Sequence, residues 1–194
     1  MEEITDFICK YLEKYNIEYE VIRPVPEVPN IIARLGKAQG KKLILNGHSD
    51  VVPVGDLNRW DFDPFSGQVK DGVLYGRGAS DMKAGLGGLI YSLALLSKEG
   101  IELDGQVILT VVSDEEVSGS HGSKWLVENK VIEGDACLIA EPTCSYNCEV
   151  GQKGSMWLKI WANGTPAHGS LSPFAGENAI EKLIRVIEHI KGVR

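Results

Sequence analysis

Three short apolar runs in this chain each break off into polar residues that can hold a cation or move a proton. Leu43-Ile44-Leu45-Asn46 leads into Gly47-His48-Ser49-Asp50. Val107-Ile108-Leu109-Thr110-Val111-Val112 leads into Ser113-Asp114-Glu115-Glu116, and Ala136-Cys137-Leu138-Ile139-Ala140 into Glu141-Pro142-Thr143. The second and third are nearly continuous in apolar residues, the pattern of strands covered on both faces. Such strands require helices on either side of a sheet, and the sequence between them supplies helical periodicity.

Ile4, Phe7, Ile8, Tyr11, Leu12 and Tyr15 recur at helical spacing over residues 2–15. Met82, Leu86, Leu89, Ile90, Leu93 and Leu96 mark a second helix that stops at Gly100, and a third is expected over 120–131. Past the prolines Pro24, Pro26 and Pro29, Asn30-Ile31-Ile32-Ala33-Arg34-Leu35 reads as a strand. Val69, Val73 and Tyr75 around Asp71-Gly72 read as a hairpin. Strands alternating with helices predict an α/β fold with a central, largely parallel sheet and helices on both faces. Near residue 154 the texture changes. Ser155, Trp157, Lys159 and Trp161 alternate with Met156, Leu158, Ile160 and Ala162, a two-sided strand. Ile180, Leu183, Ile184, Ile187 and Ile190 then line another amphipathic helix. Residues 1–153 are therefore expected to form one domain, and 154–194 the start of a smaller α+β domain.

Charge and cysteine content narrow the function classes. With 20 Lys+Arg against 27 Asp+Glu, the net charge of −7 opposes binding to phosphate backbones or anionic lipid, so neither nucleic acid nor membrane is an expected partner. No apolar run approaches the ~18 residues of a span. The acidic start Met1-Glu2-Glu3 is unlike a signal peptide, which points to the cytoplasm. Cys9, Cys137, Cys144 and Cys148 are too scattered for a disulfide framework, and Cys144 and Cys148 lack a second ligand pair at finger spacing. Gly76-Arg77-Gly78 and Gly85-Leu86-Gly87-Gly88 match neither the dinucleotide fingerprint nor the P-loop, and no Gly-x-Ser-x-Gly elbow occurs.

In open α/β sheets the chemistry sits beyond the carboxyl ends of the strands. Collecting the polar residues there gives His48, Asp50, Asp81 ahead of the long helix, Glu115, Glu116 and Glu141: one imidazole and five carboxylates. One acid after a strand is ordinarily a cap or a solvated loop residue; acids after successive strands are a pattern. Brought together, five ionised carboxylates repel one another, and two divalent ions would nearly balance them. Nitrogen and oxygen donors without thiolate suit Zn²⁺ first, with Co²⁺ or Mn²⁺ as substitutes.

Gly47-His48-Ser49-Asp50-Val51-Val52-Pro53, Leu74-Tyr75-Gly76-Arg77-Gly78-Ala79-Ser80-Asp81-Met82-Lys83-Ala84-Gly85, Asp114-Glu115-Glu116 and Glu141-Pro142-Thr143 resemble the M20 metallopeptidase and amidohydrolase family, from about residue 40 to the end of the chain. The separations match it too: 33 residues from His48 to Asp81, 34 to Glu115, and 25 from Glu116 to Glu141. The resemblance implies hydrolysis of the amide bond of N-acyl amino acids or small peptides, of deacetylase, desuccinylase or peptidase type, at a two-zinc centre. It implies that His48 and Glu141 hold one metal, Glu116 the other, and that Asp81 bridges them, with a cis peptide between Asp81 and Met82. Asp50 would orient His48, Glu115 would be the general base, and His168 in Gly164-Thr165-Pro166-Ala167-His168-Gly169-Ser170 would be the lid histidine that stabilises the oxyanion across a homodimer.

Two departures stand out. Leu171-Ser172-Pro173 places the proline one residue farther from His168 than in the family. Family members are also longer, and a histidine near their C-terminus, the remaining metal ligand, has no counterpart here; His121 and His189 read as bystanders. The chain thus resembles an N-terminal portion of such an enzyme. The alternative to an active hydrolase is an inactive fragment or a metal-binding remnant without that histidine.

Overall fold

Ile8, Cys9 and Leu12 fall on one stripe of helix α1 (Glu2–Lys14) and are buried against the sheet, while Phe7 points outward. This is the amphipathic helix the periodicity predicts, turned slightly about its axis. The computed structural model describes residues 1–194 except positions 145, 152, 155, 172, 173 and 194. The chain divides into two compact units, Met1–Cys148 and Glu149–Arg194. This division falls a few residues before the expected one at 153.

In the first unit α1 is followed by β1 (Glu18–Ile22), β2 (Asn30–Gly36), β3 (Lys42–His48), the hairpin strands β4 (Gln68–Lys70) and β5 (Val73–Tyr75), α2 (Gly85–Lys98), β6 (Gln106–Val112), α3 (Ser123–Glu128) and β7 (Ala136–Ile139). The hairpin turns at Asp71-Gly72, both with positive φ. Five strands form one sheet in the order β1-β2-β6-β3-β7. β3 pairs in parallel with β6 and β7, whereas β1–β2 and β2–β6 are antiparallel, so the sheet is mixed. The short link between β1 and β2 leaves room only for a reversal, and a parallel pair needs a longer crossover. β1 itself was not expected from the sequence.

Both faces of the sheet are covered. Ile8 and Leu12 of α1 and Leu86, Leu89, Ile90 and Leu93 of α2 pack with Ile31, Leu45, Leu109 and Val111 on one face. Leu126 and Ile132 pack with Ile32, Ile108 and Val112 on the other. β7 departs from expectation. Its apolar sequence suggests a doubly covered strand, yet Leu138 and Ile139 are 50% and 55% exposed. The reason is its place at the sheet edge, where among the described residues it pairs with β3 alone.

In the second unit, Asn178 caps α4 (Ala179–Lys191) by accepting from the Ile180 N–H at 2.9 Å, and Thr165 and Glu177 form one antiparallel bridge. The two-sided strand expected over 155–162 is not formed among the described residues; Ser155, like Ser172 and Pro173, lies outside them. An extended segment becomes a strand only when a neighbour takes up its backbone groups, and Trp157 is 97% exposed.

Candidate metal centre

Because β3, β6 and β7 run parallel, their carboxyl ends open onto the same side of the sheet. His48 is the last residue of β3 and lies opposite Val112, the last of β6. Glu115 and Glu116 follow β6 in a short turn, and Glu141 follows β7. Asp81 comes from a kink ahead of α2, where Asp81 and Met82 leave helical geometry and the peptide joining them is cis, as the resemblance implies.

His48 is the hub. Its ring is only 1% exposed. Nδ1 lies 3.0 Å from the Asp50 carbonyl oxygen and 3.4 Å from Asp50 Oδ1. Nε2 lies 3.1 Å from Asp81 Oδ1, 3.2 Å from Glu141 Oε1 and 4.0 Å from Glu115 Oε2. Asp50 also reaches across to the next strand end, where its two carboxylate oxygens accept the backbone N–H groups of Glu115 and Glu116 at 3.3 and 3.1 Å. One carboxylate thus ties the end of β3 to the turn after β6.

His48, Asp81 and Glu116 each place a donor atom within 4.8 Å of the others, and so do His48, Glu115 and Glu141. All six groups collected from the sequence therefore meet at one place. Of the other histidines, His168 belongs to the second unit, where Nδ1 sits 2.8 Å from Ser170 Oγ and the ring lines an open hollow of about 730 Å³ with Lys182 and Arg185. His121 lies ahead of α3 and His189 on α4, outside the cluster among the described residues.

The field here is strongly negative. Burial opposes charging His48, but its hydrogen bonds to the side chain and carbonyl of Asp50, with the charge of Glu141, prevail and raise its pKa to about 9. Burial raises the pKa of Glu115 and of Glu141, against the pull of His48 and with help from neighbouring carboxylates. Asp50 goes the other way: although burial works against it, the bond to His48 and the N–H of Glu116 hold its pKa below the usual range.

These residues fit a divalent cation. Ligand atoms about 2.0–2.2 Å from one zinc ion lie roughly 3.3–3.6 Å apart in a tetrahedral array. The contacts of Nε2 with Asp81 and Glu141, at 3.1 and 3.2 Å, are near that spacing. With Nδ1 facing Asp50, Nε2 is the nitrogen aimed at the carboxylates.

Two groups make contacts at the site that the sequence did not assign to them. Met82 is fully buried behind His48 and its sulfur accepts the His48 backbone N–H at 3.1 Å. The Lys83 ammonium donates to the Ser49 carbonyl at 2.9 Å, joining the strand end that carries His48 to the kink that carries Asp81. Burial lowers the Lys83 pKa, with Asp50 resisting. A lysine two residues from an acid in an otherwise anionic cluster was the available signal.

Two family models match the chain: peptidase family M20/M25/M40 over residues 44–156, and the peptidase dimerisation domain over 150–192. A succinyl-diaminopimelate desuccinylase of Cereibacter sphaeroides is 39% identical over 171 residues, covering 84% of this chain and 44% of that protein. The chain thus spans about half the length of the curated relatives it matches. Among solved structures, a tripeptidase from Staphylococcus aureus shares the fold with a TM-score of 0.63 at 19% identity, over 95% of this chain and 50% of the other. A dinuclear metal-binding peptidase from Bacillus subtilis has a TM-score of 0.51 at 24% identity, over 71% and 36%. With the first family model spanning more than half of its residues and the same motifs gathered around His48, the chain belongs to peptidase family M20/M25/M40.

Proposed function

We propose that this chain carries the amino-terminal, metal-binding part of a hydrolase that cleaves the amide bond of N-acyl amino acids or small peptides. The observation that carries this reading is the convergence of His48, Asp81, Glu115, Glu116 and Glu141 from three strand ends and one kink. The relatives are desuccinylases, which favours an N-succinyl amino acid as substrate. The Bacillus subtilis peptidase of the same fold binds two metals, which supports a pair of ions here. Zn²⁺ suits the donors, with Co²⁺ or Mn²⁺ as substitutes. The working form is a cytoplasmic homodimer assembled through residues 154–194, the lid and dimerisation domain, a reading supported by the dimerisation-domain match.

In this reading, which follows the family resemblance, His48 and Glu141 would hold one cation, Glu116 would hold the other, and Asp81 would serve both; His48 and Glu141 are 3.2 Å apart, and Glu116 and Asp81 lie in the same cluster. Bound cations of this class polarise a carbonyl and acidify water. Asp50 faces Nδ1 and fixes the ring so that Nε2 points into the cluster. Glu115 is the carboxylate farthest from Nε2 of the three that face it, and it acts as general base. It takes a proton from the attacking water and passes it to the departing amine. His168, reaching the active site of the other protomer in the homodimer, would donate a hydrogen bond to the oxyanion of the tetrahedral adduct, a kind of contact worth about 3–4 kcal/mol.

The test is Glu115→Gln, assayed for Zn²⁺ uptake by equilibrium dialysis and for amine release from an N-succinyl amino acid. Uptake is expected to persist while hydrolysis falls ~10²–10⁴-fold. Full activity in this variant excludes Glu115 as the base. Two ions per chain with hydrolysis support the hydrolase; one or none without hydrolysis supports a metal-binding remnant.

A further inference from the structure

Glu115 and Glu116 sit on a turn held from two sides, and the proposed function accounts for only one of those sides. In front, Asp50 accepts both backbone N–H groups. Behind lies Asp114, only 4% exposed, whose side chain makes no hydrogen bond or ion pair with the candidate metal ligands among the described residues. Its Oδ2 accepts the backbone N–H of His121 at 2.7 Å, and its carbonyl accepts those of Gly119 at 2.8 Å and Val117 at 3.3 Å. One residue therefore closes the whole turn from 114 to 121. The backbone can fold so tightly because Ser118 and Gly119 both adopt positive φ, +108° and +63°.

The far end of the turn is gripped again. Asn30, the fully buried first residue of β2, donates from Nδ2 to the carbonyl of His121 at 2.9 Å. The two polar backbone groups of residue 121 are thus bound by two buried side chains, one from the first residue of β2 and one from the turn that follows its partner strand β6. Packing against this clamp is tight: a Cβ at Gly122 would run into Asp114 Oδ1. Ser113 fastens the strand end itself, donating to the Pro29 carbonyl at 2.8 Å.

This arrangement is costly as a source of stability. Asp114 Oδ1 and Asn30 Oδ1 are buried without a hydrogen-bond partner among the described residues. An unsatisfied buried acceptor loses its hydration without replacement, a cost that apolar residues of similar size would avoid. What polar side chains supply here, and apolar ones could not, is a fixed path for the backbone that carries Glu115 and Glu116.

We propose that Asp114 and Asn30, clamped on the backbone of His121, are positioning residues that set Glu115 and Glu116 against His48. The inference rests on the metal-centre reading above and adds two residues to it. Its test uses the purified chain with Co²⁺ as probe, followed by visible absorption, together with amide hydrogen exchange at Gly119 and His121. Asp114→Ala should weaken Co²⁺ binding by ~10–100-fold, the range for losing a group that supports a ligand, and should abolish protection at His121. Asp114→Asn keeps an oxygen that can accept from His121 and should restore both readouts. Asn30→Ala should lower both in the same sense. Leu12→Ala, in the core on the other face of the sheet from Leu126, should lower the unfolding midpoint while leaving Co²⁺ affinity unchanged.

The outcomes separate the clamp from the metal centre it supports. A wild-type chain that takes up no Co²⁺, or His48→Ala binding as well as wild type, overturns the metal-centre reading and this inference with it. If His48→Ala loses binding while Asp114→Ala and Asn30→Ala both bind like wild type, the clamp alone is overturned. Should Asp114→Ala fail to fold, Asn30→Ala decides the matter by the same measure. Affinity that falls equally in Leu12→Ala reduces the clamp to general stability and overturns the positioning role.

Discussion

At the scale of single residues, the closest tolerance beside the cluster lies where there is no side chain. A Cβ on Gly85 would collide with the carbonyl oxygen of Ala140 and come within 2.8 Å of its Cβ. Gly85 opens α2 four residues past Asp81, and Ala140 immediately precedes Glu141. The element carrying Asp81 and the strand end carrying Glu141 are therefore as near each other as two backbones allow. Gly85→Ala must push one away. It should cost about 1–3 kcal/mol in a urea titration, the usual range for overpacking, and lower cation affinity with it. Gly87, two residues on, faces open space, and Gly87→Ala should gain about 0.5–1 kcal/mol of helix stability without touching affinity. Equal effects at both positions would mean that helix propensity, not the approach of Ala140, decides the outcome. Glycine runs of this kind look like turns or phosphate loops in a sequence; their use here depends on a strand 55 residues farther along.

Whole elements were legible where their signal is local. The stripe of α1, the apolar runs of β3 and β6 and the Asp71-Gly72 hairpin all carry their pattern within a dozen residues. β1 is not predicted because, although Glu18-Tyr19-Glu20-Val21 alternates, the run is short and lies between the end of a helical pattern and a cluster of prolines. β7 was identified but misplaced, since an apolar run records what covers a strand and not whether it sits at an edge. What anchors β7 is electrostatic and local. Asp135 sits just before it, its carboxylate accepting from the Lys41 ammonium at 2.5 Å and the Lys42 N–H at 2.9 Å, while its own N–H donates to the Lys42 carbonyl at 2.8 Å. The bond from Lys41, followed by that from Lys42, lowers the Asp135 pKa below 3.8. A carboxylate depressed in the folded state adds stability that is present above pH 3.8 and lost as pH falls through the lower, folded value. The difference in urea midpoint between wild type and Asp135→Asn should thus be steady at neutral pH and vanish in acid. Because the pair is exposed, added salt should shrink it as well. A difference that persists at pH ~2, below the usual carboxylate range, would assign the effect to amide substitution in the turn instead of to charge.

Over the whole molecule, the cluster around His48 was the most legible part, because each contributing residue follows an apolar run or a glycine-rich turn and the parallel strands do the gathering. Asp114 and Asn30 were not legible, and Lys83 only as a cation beside an acid. They act on backbone groups, and which backbone group lies in reach is a property of the folded chain alone. The second unit poses the opposite problem: its sequence is amphipathic, yet no described residue of α4 is buried. Ile180, Ile184, Ile187 and Ile190 lie along one stripe of that helix and remain exposed. An apolar stripe of four isoleucines is more than a solvated helix ordinarily shows, and the proposed homodimer is one way to cover it. The match of residues 150–192 to a peptidase dimerisation domain points the same way. Light scattering during gel filtration should find an assembly of the wild-type chain that dissociates on dilution. Ile184→Glu with Ile187→Glu should leave a monomer at every concentration, with Zn²⁺ uptake intact, because the candidate ligands belong to the first unit. If the double variant still assembles, the contact lies elsewhere, and the exposed edge of β7 becomes the surface to test, since an apolar strand paired on one side only is open to a further strand.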